Sequence, residues 1–356
     1  MNNRLKKVLE RLEDYELDSF IIYNSLNIRY LSGFTGSSGY LYISKSKSVL
    51  LTDFRYIEQA SNECEDFQVV DMLKDGFIRT ISSIIEQDDV KIIGFEKQTV
   101  TYDEFETLKK GIKGKELIGI SNFVETIRMI KDEEELKDIK KAVNIGDLAF
   151  KHLLGYIKPG ITELDIALEL EFFMKKQGAD KLSFDSIVAS GVHSSMPHAK
   201  PTNKKIEIGD LLTLDFGCVY NGYCSDMTRT IAIGKVDDKQ KSIYDTVLEA
   251  QLKALDYIKS GVSGKDADEV SRNIIRNAGY GKYFGHGLGH AVGLNIHESP
   301  RLSPKEEKRL SKNMVVTVEP GIYIPGIGGV RIEDLVVVKD NGIKNYTKSS
   351  KELIIV

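Results

Sequence analysis

The stretch that most constrains this chain is Leu211 to Ile231, LLTLDFGCVYNGYCSDMTRTI. Two strand-forming runs flank Asn221-Gly222, and both residues of that pair tolerate positive φ, as a two-residue type I′ hairpin turn requires. The turn sets the register. Tyr220 then faces Tyr223, Gly217 faces Asp226, and Asp215 faces Thr228. Side chains alternate along a strand, so Asp215, Gly217 and Asp226 share one face. The two aspartates become diagonal neighbours, about 7–8 Å apart at the backbone. Glycine opposite Asp226 is expected to leave open space where the carboxylates converge. Two carboxylates aimed at one point inside an apolar hairpin repel unless a proton or a cation lies between them. A metal is the simplest reading, and two separately solvated aspartates are the alternative. Cys224 falls on the same face and is a possible further ligand, although a small buried thiol is the simpler role.

At 356 residues the chain exceeds one ordinary core, so two domains are expected, spanning residues 1–125 and 126–356. The net charge of −4 comes from acidic and basic residues mixed throughout. No basic stripe marks a nucleic-acid or anionic-lipid partner. No apolar run reaches membrane-span length, and MNNRLKKVLERLEDYELD reads as an amphipathic helix rather than a signal peptide. Cys64, Cys218 and Cys224 are an odd number in a large chain. That favours reduced thiols and a cytoplasmic protein.

The first third alternates strand and helix patterns. Residues 2–15 read as a helix, and Ser19–Tyr23 as an apolar strand. Tyr40–Ile43 and Val49–Thr52 read as paired strands, and Phe67–Val70 and Lys91–Phe95 as two more. Helical spacing marks Phe77–Ile85 and Asp103–Lys109. The pattern predicts an α/β domain. Gly33 to Gly39 lacks the lysine and the spacing of a nucleotide-binding loop, so it reads as a turn. This part of the chain has no histidine, so the chemistry is expected further on.

The boundary falls near Ile118–Met129. Acidic Asp132–Glu135 opens a helix that runs to about Ile157, where Pro159-Gly160 stops it. Thr162 and Asp165 have capping-box spacing, with aspartate where glutamate or glutamine is preferred. A second helix follows to about Gln177. Ser186–Ala189 reads as a strand and Ser190–Pro201 as a loop. Asp238–Lys259 and Lys265–Asn277 read as helices, and Met314–Glu319 and Val330–Val338 as strands. This is an α+β layout.

Five of the six histidines lie between His193 and His297. Gly285-His-Gly-Leu-Gly-His290 is a glycine-rich turn carrying His286 and His290, and His297-Glu298 follows. Glu319 ends one apolar strand. The two-residue period places Arg331 and Glu333 on one face of another, where an unpaired charge is costly. Asp215, Asp226, His290, Glu319 and Glu333 together make one imidazole and four carboxylates. Structural zinc prefers four ligands rich in Cys and His. The set fits two divalent ions of the Mn²⁺, Co²⁺ or Zn²⁺ type.

Asp215 and Asp226 at their spacing, the GHGLGH turn, His297-Glu298, Glu319-Pro320-Gly321 and Arg331-Ile-Glu333 resemble the pita-bread metallopeptidases: aminopeptidase P, prolidase and methionine aminopeptidase. The likeness covers the second domain in order and spacing. The first domain resembles the creatinase/prolidase amino-terminal domain through Leu31–Gly36 and Leu51–Arg55, a domain that methionine aminopeptidases lack. The resemblance implies a creatinase-type α/β domain followed by an α+β pita-bread catalytic domain.

By the same resemblance, Asp215 holds one ion, His290 and Glu319 the other, and Asp226 and Glu333 bridge them, with Mn²⁺ the favoured metal. Glu319 is the implied proton shuttle. His198 matches the histidine that contacts the scissile peptide, and His297 the one that steadies the oxyanion. His286 lines the proline pocket, and Arg331 supports the ligands from behind; its strand position beside Glu333 ties it to that carboxylate. The implied substrates are proline-containing peptides and the implied assembly is a homodimer. Stretch Thr52–Tyr56 favours an Xaa-Pro aminopeptidase, with an Xaa-Pro dipeptidase as the alternative. Proline's nitrogen has no N–H, so peptidases that need that donor cannot process the bond before it. A metal-free binding module and a creatinase-like hydrolase are the readings from other classes, and both would require lost ligands.

Overall fold

The computed structural model describes residues 3–356, which form two compact units divided between Arg128 and Met129. The first unit opens with the helix Asn3–Asp14, which buries Leu5, Val8 and Leu12 on one face. Residue 2, where the sequence pattern starts that helix, lies outside the described residues. Six strands form one sheet in the order Gln68–Asp71, Ser48–Thr52, Tyr40–Ser44, Ser19–Ile22, Ile92–Glu96, Glu116–Ile120. Helices Gly76–Gln87 and Tyr102–Gly111 pack Ile81, Ile85 and Leu108, with Ile112 just beyond the second helix, against Ile21, Leu51 and Ile93 of that sheet. Four elements had no clear sequence signal, among them the single helical turn Glu125–Arg128 at the expected boundary. Ser25–Ser32 and Ile57–Glu63 are helices of one or two turns, too short for a period to declare itself. Glu116–Ile120 is a strand lying where the boundary was expected. Gly36 belongs to a tight turn: a Cβ there would lie 2.2 Å from the Phe34 ring.

The second unit starts from well-marked helix caps. Asp132 and Glu135 form a capping box ahead of the helix Glu133–Tyr156. Thr162 and Asp165 form another ahead of Glu163–Lys176, with the Thr162 N–H and hydroxyl donating to Asp165 at 2.9 and 2.7 Å. Aspartate therefore serves where glutamate is commoner. These helices bury Ala142, Phe150 and Leu170 against Leu212, Leu214 and Phe216. Helices Asp238–Tyr257 and Gly264–Asn277 cover the remaining strands. One antiparallel sheet has the order Met227–Ala232, Leu211–Phe216, Ile187–Ser190. A second runs Glu298–Leu302, Gly289–Ala291, Val315–Val318, Asp334–Lys339, Gly342–Asn345. Among the described residues no helix is long and apolar enough to cross a membrane.

Two expected strands are broken, and both breaks fall at the site. The hairpin keeps the register set by its turn, with Tyr220 opposite Tyr223 and Asp215 opposite Thr228. Asn221 and Gly222 have φ of 47° and 82°. At Gly217, however, the ladder changes sheet, and Cys218–Tyr220 pairs with Lys181–Leu182 instead. A Cβ on Gly217 would lie 1.9 Å from the Ser225 carbonyl oxygen. Glycine is there for close backbone approach, not to leave space for carboxylates. The expected strand Val330–Val338 likewise divides at Ile332-Glu333: Gly328–Arg331 pairs with Gly321–Ile324, and Asp334–Lys339 pairs with Val315–Val318.

Candidate metal centre

Each acidic candidate sits at or beside the end of a strand. Asp215 is next to last in Leu211–Phe216, and Asp226 precedes Met227–Ala232. Glu319 follows Val315–Val318, and Glu333 precedes Asp334–Lys339. His290 is the middle residue of Gly289–Ala291. Strands that separate into different sheets direct their end residues into the gap between them. Asp226, His290 and Glu333 offer ligand atoms that all lie within 4.8 Å of one another, and all three residues are buried. His290 Nε2 is 3.6 Å from Asp226 Oδ2 and 3.4 Å from Glu319 Oε1. Asp215 lines the same cavity and is ion-paired with Arg331.

Three of these carboxylates are short of donors. Asp215 Oδ1, Asp226 Oδ1 and Glu333 Oε1 are buried without any hydrogen-bond partner. An unpaired buried anion is strongly unfavourable. Burial, then the neighbouring Glu333 and Asp215, holds the Asp226 carboxyl well above its usual range. Burial, then Glu319 and Asp215, does the same to Glu333. Burial pushes Glu319 up to about 7, with Arg331 opposing and Asp215 adding to the shift. Burial and then His297 push His290 down to about 3, so its imidazole is neutral, the form that binds metal. Clustered carboxylate oxygens without donors, beside a neutral imidazole, fit a hard divalent cation. Cys224 takes no part: its Sγ faces the Leu294 carbonyl at 3.8 Å, in the core.

Threonines and one arginine orient the acidic groups. Thr228 Oγ1 donates to Glu333 Oε2 at 2.7 Å and accepts from Arg331 Nε at 3.1 Å. Thr317 Oγ1 donates to Glu319 at 3.0 Å and accepts from the His290 N–H at 3.0 Å. Arg331 also donates to the Tyr323 hydroxyl at 2.7 Å. Burial works against the charge on Arg331, but Tyr323 and Asp215 outweigh it and raise its pKa further. Sequence periodicity tied Arg331 to Glu333. The break at Ile332 instead turns it to Asp215, and it reaches Glu333 only through Thr228. Thr228 and Thr317 lie two residues from Asp226 and Glu319, so the strand period could have found them. Nothing in the pattern marked Tyr323.

The centre opens into a cavity of about 580 Å³ that His198, His286 and His297 line. His297 lies edge-on to His290, with ring centroids 4.5 Å apart. Burial, then Arg301, lowers its pKa. His286 meets the Tyr323 hydroxyl at 2.9 Å through Nε2 and the Gly287 carbonyl at 2.7 Å through Nδ1. A carbonyl only accepts, so Nδ1 carries the proton, and Nε2 accepts from Tyr323. Burial, then Arg331, pushes His286 down to about 4. Arg301 carries no signal in the sequence pattern. It lines the cavity, pairs across the ladder with His290, and is exposed. Among the described residues its guanidinium has no ion-pair partner. Its strand, Glu298–Leu302, has a weak apolar pattern and was not predicted.

Residues 137–340 match metallopeptidase family M24, and residues 4–130 match the creatinase/prolidase N-terminal domain. The Xaa-Pro dipeptidase of Pyrococcus horikoshii is 41% identical over 359 residues, covering 99% of each chain. Among solved structures, the Xaa-Pro dipeptidase from Bacillus anthracis superposes with a TM-score of 0.96 at 46% identity, covering 99% of each chain. The X-Pro aminopeptidase from Thermotoga maritima superposes at 0.93 with 39% identity, covering 99% of this chain and 100% of its own.

Proposed function

The chain belongs to metallopeptidase family M24, behind a creatinase/prolidase N-terminal domain, and on that premise we propose that it hydrolyses the peptide bond between a first residue and proline. The observation that carries this reading is the group of buried carboxylate oxygens without donors around neutral His290. Asp226, His290 and Glu333, joined by Asp215 and Glu319, hold two divalent ions, with Mn²⁺ the first choice for so oxygen-rich a set. Such ions, when bound, polarise a carbonyl and lower the pKa of water.

The chain's own groups do the rest. Glu319, at the edge of the set and oriented by Thr317, moves the proton to the leaving imide nitrogen. His198, on the cavity wall, contacts the scissile peptide. His297, packed against His290, donates to the developing oxyanion. His286, locked between Gly287 and Tyr323, lines the proline pocket. Three buried cysteines, none of them joined in a disulfide among the described residues, support a reducing, cytoplasmic setting.

Substrate length has two readings. Arg301, unpartnered at the cavity, suits the free carboxylate of a dipeptide's proline. Likeness to the Thermotoga X-Pro aminopeptidase supports longer substrates. The test is hydrolysis of Gly-Pro-type dipeptides against X-Pro-X tripeptides by chelator-treated protein with added Mn²⁺. We expect metal-dependent cleavage before proline, with dipeptides at least equal to tripeptides in kcat/KM. Bound metal with no action on any Xaa-Pro bond would overturn the reading, and failure to bind metal at all would favour a binding module.

A further inference from the structure

Glu163 stands outside the metal centre, yet it is fully buried. It is the first residue of the helix Glu163–Lys176, where the helix dipole favours an anion. Its two oxygens accept from the Ser190 N–H at 2.8 Å and the Ser190 hydroxyl at 2.9 Å, from His193 Nδ1 at 2.8 and 2.9 Å, and from the Thr202 N–H at 3.2 Å and hydroxyl at 2.8 Å. Burial opposes its charge, but His193, Thr202 and Ser190 outweigh that and hold its pKa below the usual range. An ionised carboxylate only accepts, so His193 Nδ1 carries a proton. Every one of these donors belongs to the segment 190–202. One buried carboxylate thus gathers the start, the middle and the end of the loop that carries His198.

The same loop is held on its other side. Its first turn, Gly191–Ser195, lies on the strand Gly328–Arg331. The Gly329 N–H donates to Ser194 Oγ at 2.8 Å. A Cβ on Gly329 would lie 2.2 Å from the Ser194 carbonyl oxygen, so glycine is what lets the turn approach. Two residues further along, Arg331 donates to the Pro197 carbonyl at 3.4 Å, next to His198. His198 itself is exposed on the cavity wall. Its place is set by these flanking attachments and not by its own packing.

We propose that Glu163 and His193 are positioning residues: a buried latch that fixes the 190–202 loop and holds His198 against the substrate. The proposal rests on the reading that His198 contacts the scissile peptide. Without His193 the loop keeps its contacts to Gly329 and Arg331, and Ser190 and Thr202 still reach Glu163, but it loses its anchor in the middle. His198 then spends less time in the productive place, which lowers kcat more than it raises KM.

The test is a double-mutant cycle on the Mn²⁺-loaded protein with a Gly-Pro-type substrate. His193→Ala is expected to lower kcat about tenfold, as loss of one hydrogen bond to a charged group does, with metal content unchanged. His193→Asn places an amide N–H near the lost Nδ1 and should recover most of that. In a His198→Ala background, His193→Ala should cost less than about twofold further, because coupled residues are not additive. Multiplying losses in the double variant, or an Asn variant no better than the Ala variant, would overturn the proposal. Hydrogen exchange of the metal-free protein separates the two readings. If His198→Ala leaves kcat unchanged, the role of His198 fails; the latch still requires faster amide exchange across 190–202 in His193→Ala, and unchanged exchange there would sink it.

Discussion

Glu333 and Asp334 are consecutive, and both are buried, at 1% and 0% exposed, yet they sit in opposite chemical surroundings. Strand alternation sends their side chains to opposite faces. Asp334 meets Arg229 and Lys351, each at 2.7 Å, together with Gln251 at 3.1 Å and Asn345 at 2.6 Å. Burial opposes its charge, but Arg229 and Lys351 outweigh it and hold the carboxyl below its usual range. Glu333 receives one donor, from Thr228, and its other oxygen has none. Burial and neighbouring carboxylates hold it well above its usual range. Burial alone therefore does not distinguish a structural acid from a ligand. The donors separate this pair: Asp334 meets two cations and two amides, and Glu333 only the Thr228 hydroxyl, although Asp215 in the same cavity does have Arg331.

The largest expected effect tests the cage side of that contrast. Glu333→Ala or Asp226→Ala should lower turnover on the order of 10⁴-fold or more and reduce bound metal, because each removes an anion that offsets the ions' charge. Metal analysis beside the activity assay is the check. Near-normal turnover with full metal in either variant would mean that the orphaned oxygens are not ligands.

The opposite face should respond in stability instead. Asp334→Asn leaves Arg229 buried without its anion, a change worth about 3–5 kcal/mol for a buried pair. Its pH dependence has a definite sign. The folded pKa lies below the ordinary 3.8, so the unfolded chain takes up the proton first as pH falls. The stability contributed is complete above about pH 4 and is lost as pH falls through the lower folded value. Denaturant unfolding of both proteins should show the full gap at pH 7 and a smaller one near pH 3. An equal gap at both pH values would break the account of Asp334.

This pair also shows what the sequence could and could not display. The candidate residues stand out in the sequence because acidic residues in apolar strands have no cheap place to go, and the hairpin register followed from Asn221-Gly222. The helix caps at Asp132 and Thr162 were equally local. What stayed hidden was long-range. Gly217 looked like room for carboxylates, and only the packed Ser225 backbone shows otherwise. Arg331 followed the two-residue period toward Glu333, but the break at Ile332 depends on which sheets the halves join. Arg301 lies on a strand with a weak pattern, and its nearness to His290 exists only through pairing.

A smaller effect is expected at the cavity wall, where a residue neither holds metal nor stabilises the core. His198→Ala should lower kcat about 10²-fold through lost transition-state contacts, with metal content unchanged because His198 is exposed on the cavity wall and is not one of the five proposed ligands. Loss of metal in this variant would move His198 into the cage and redraw its boundary.

The smallest effect extends the comparison from acids to cations. Arg229 is fully buried, and its donors reach Asp334 and the carbonyls of Thr228, Ser349 and Ser350. Arg331 is committed to Asp215, Thr228 and Tyr323. Arg301 alone among these three has no anion, and it faces the cavity across the ladder from His290. A guanidinium left free at the mouth of an anionic centre has two uses: to moderate the field, or to bind the substrate's own carboxylate. The first use would affect all substrates alike. The second acts only on peptides whose carboxylate lies next to proline, because extending the chain moves that charge out of reach. Arg301→Ala should therefore raise KM for Gly-Pro-type dipeptides about tenfold, the scale of one charge-assisted hydrogen bond, and change the tripeptide values by less than about twofold. Arg301→Lys should recover part of the loss, since it restores the charge without the paired donors. An equal loss on dipeptides and tripeptides would assign Arg301 to the field of the centre, and any preference for short substrates would then have to come from the shape of the cavity.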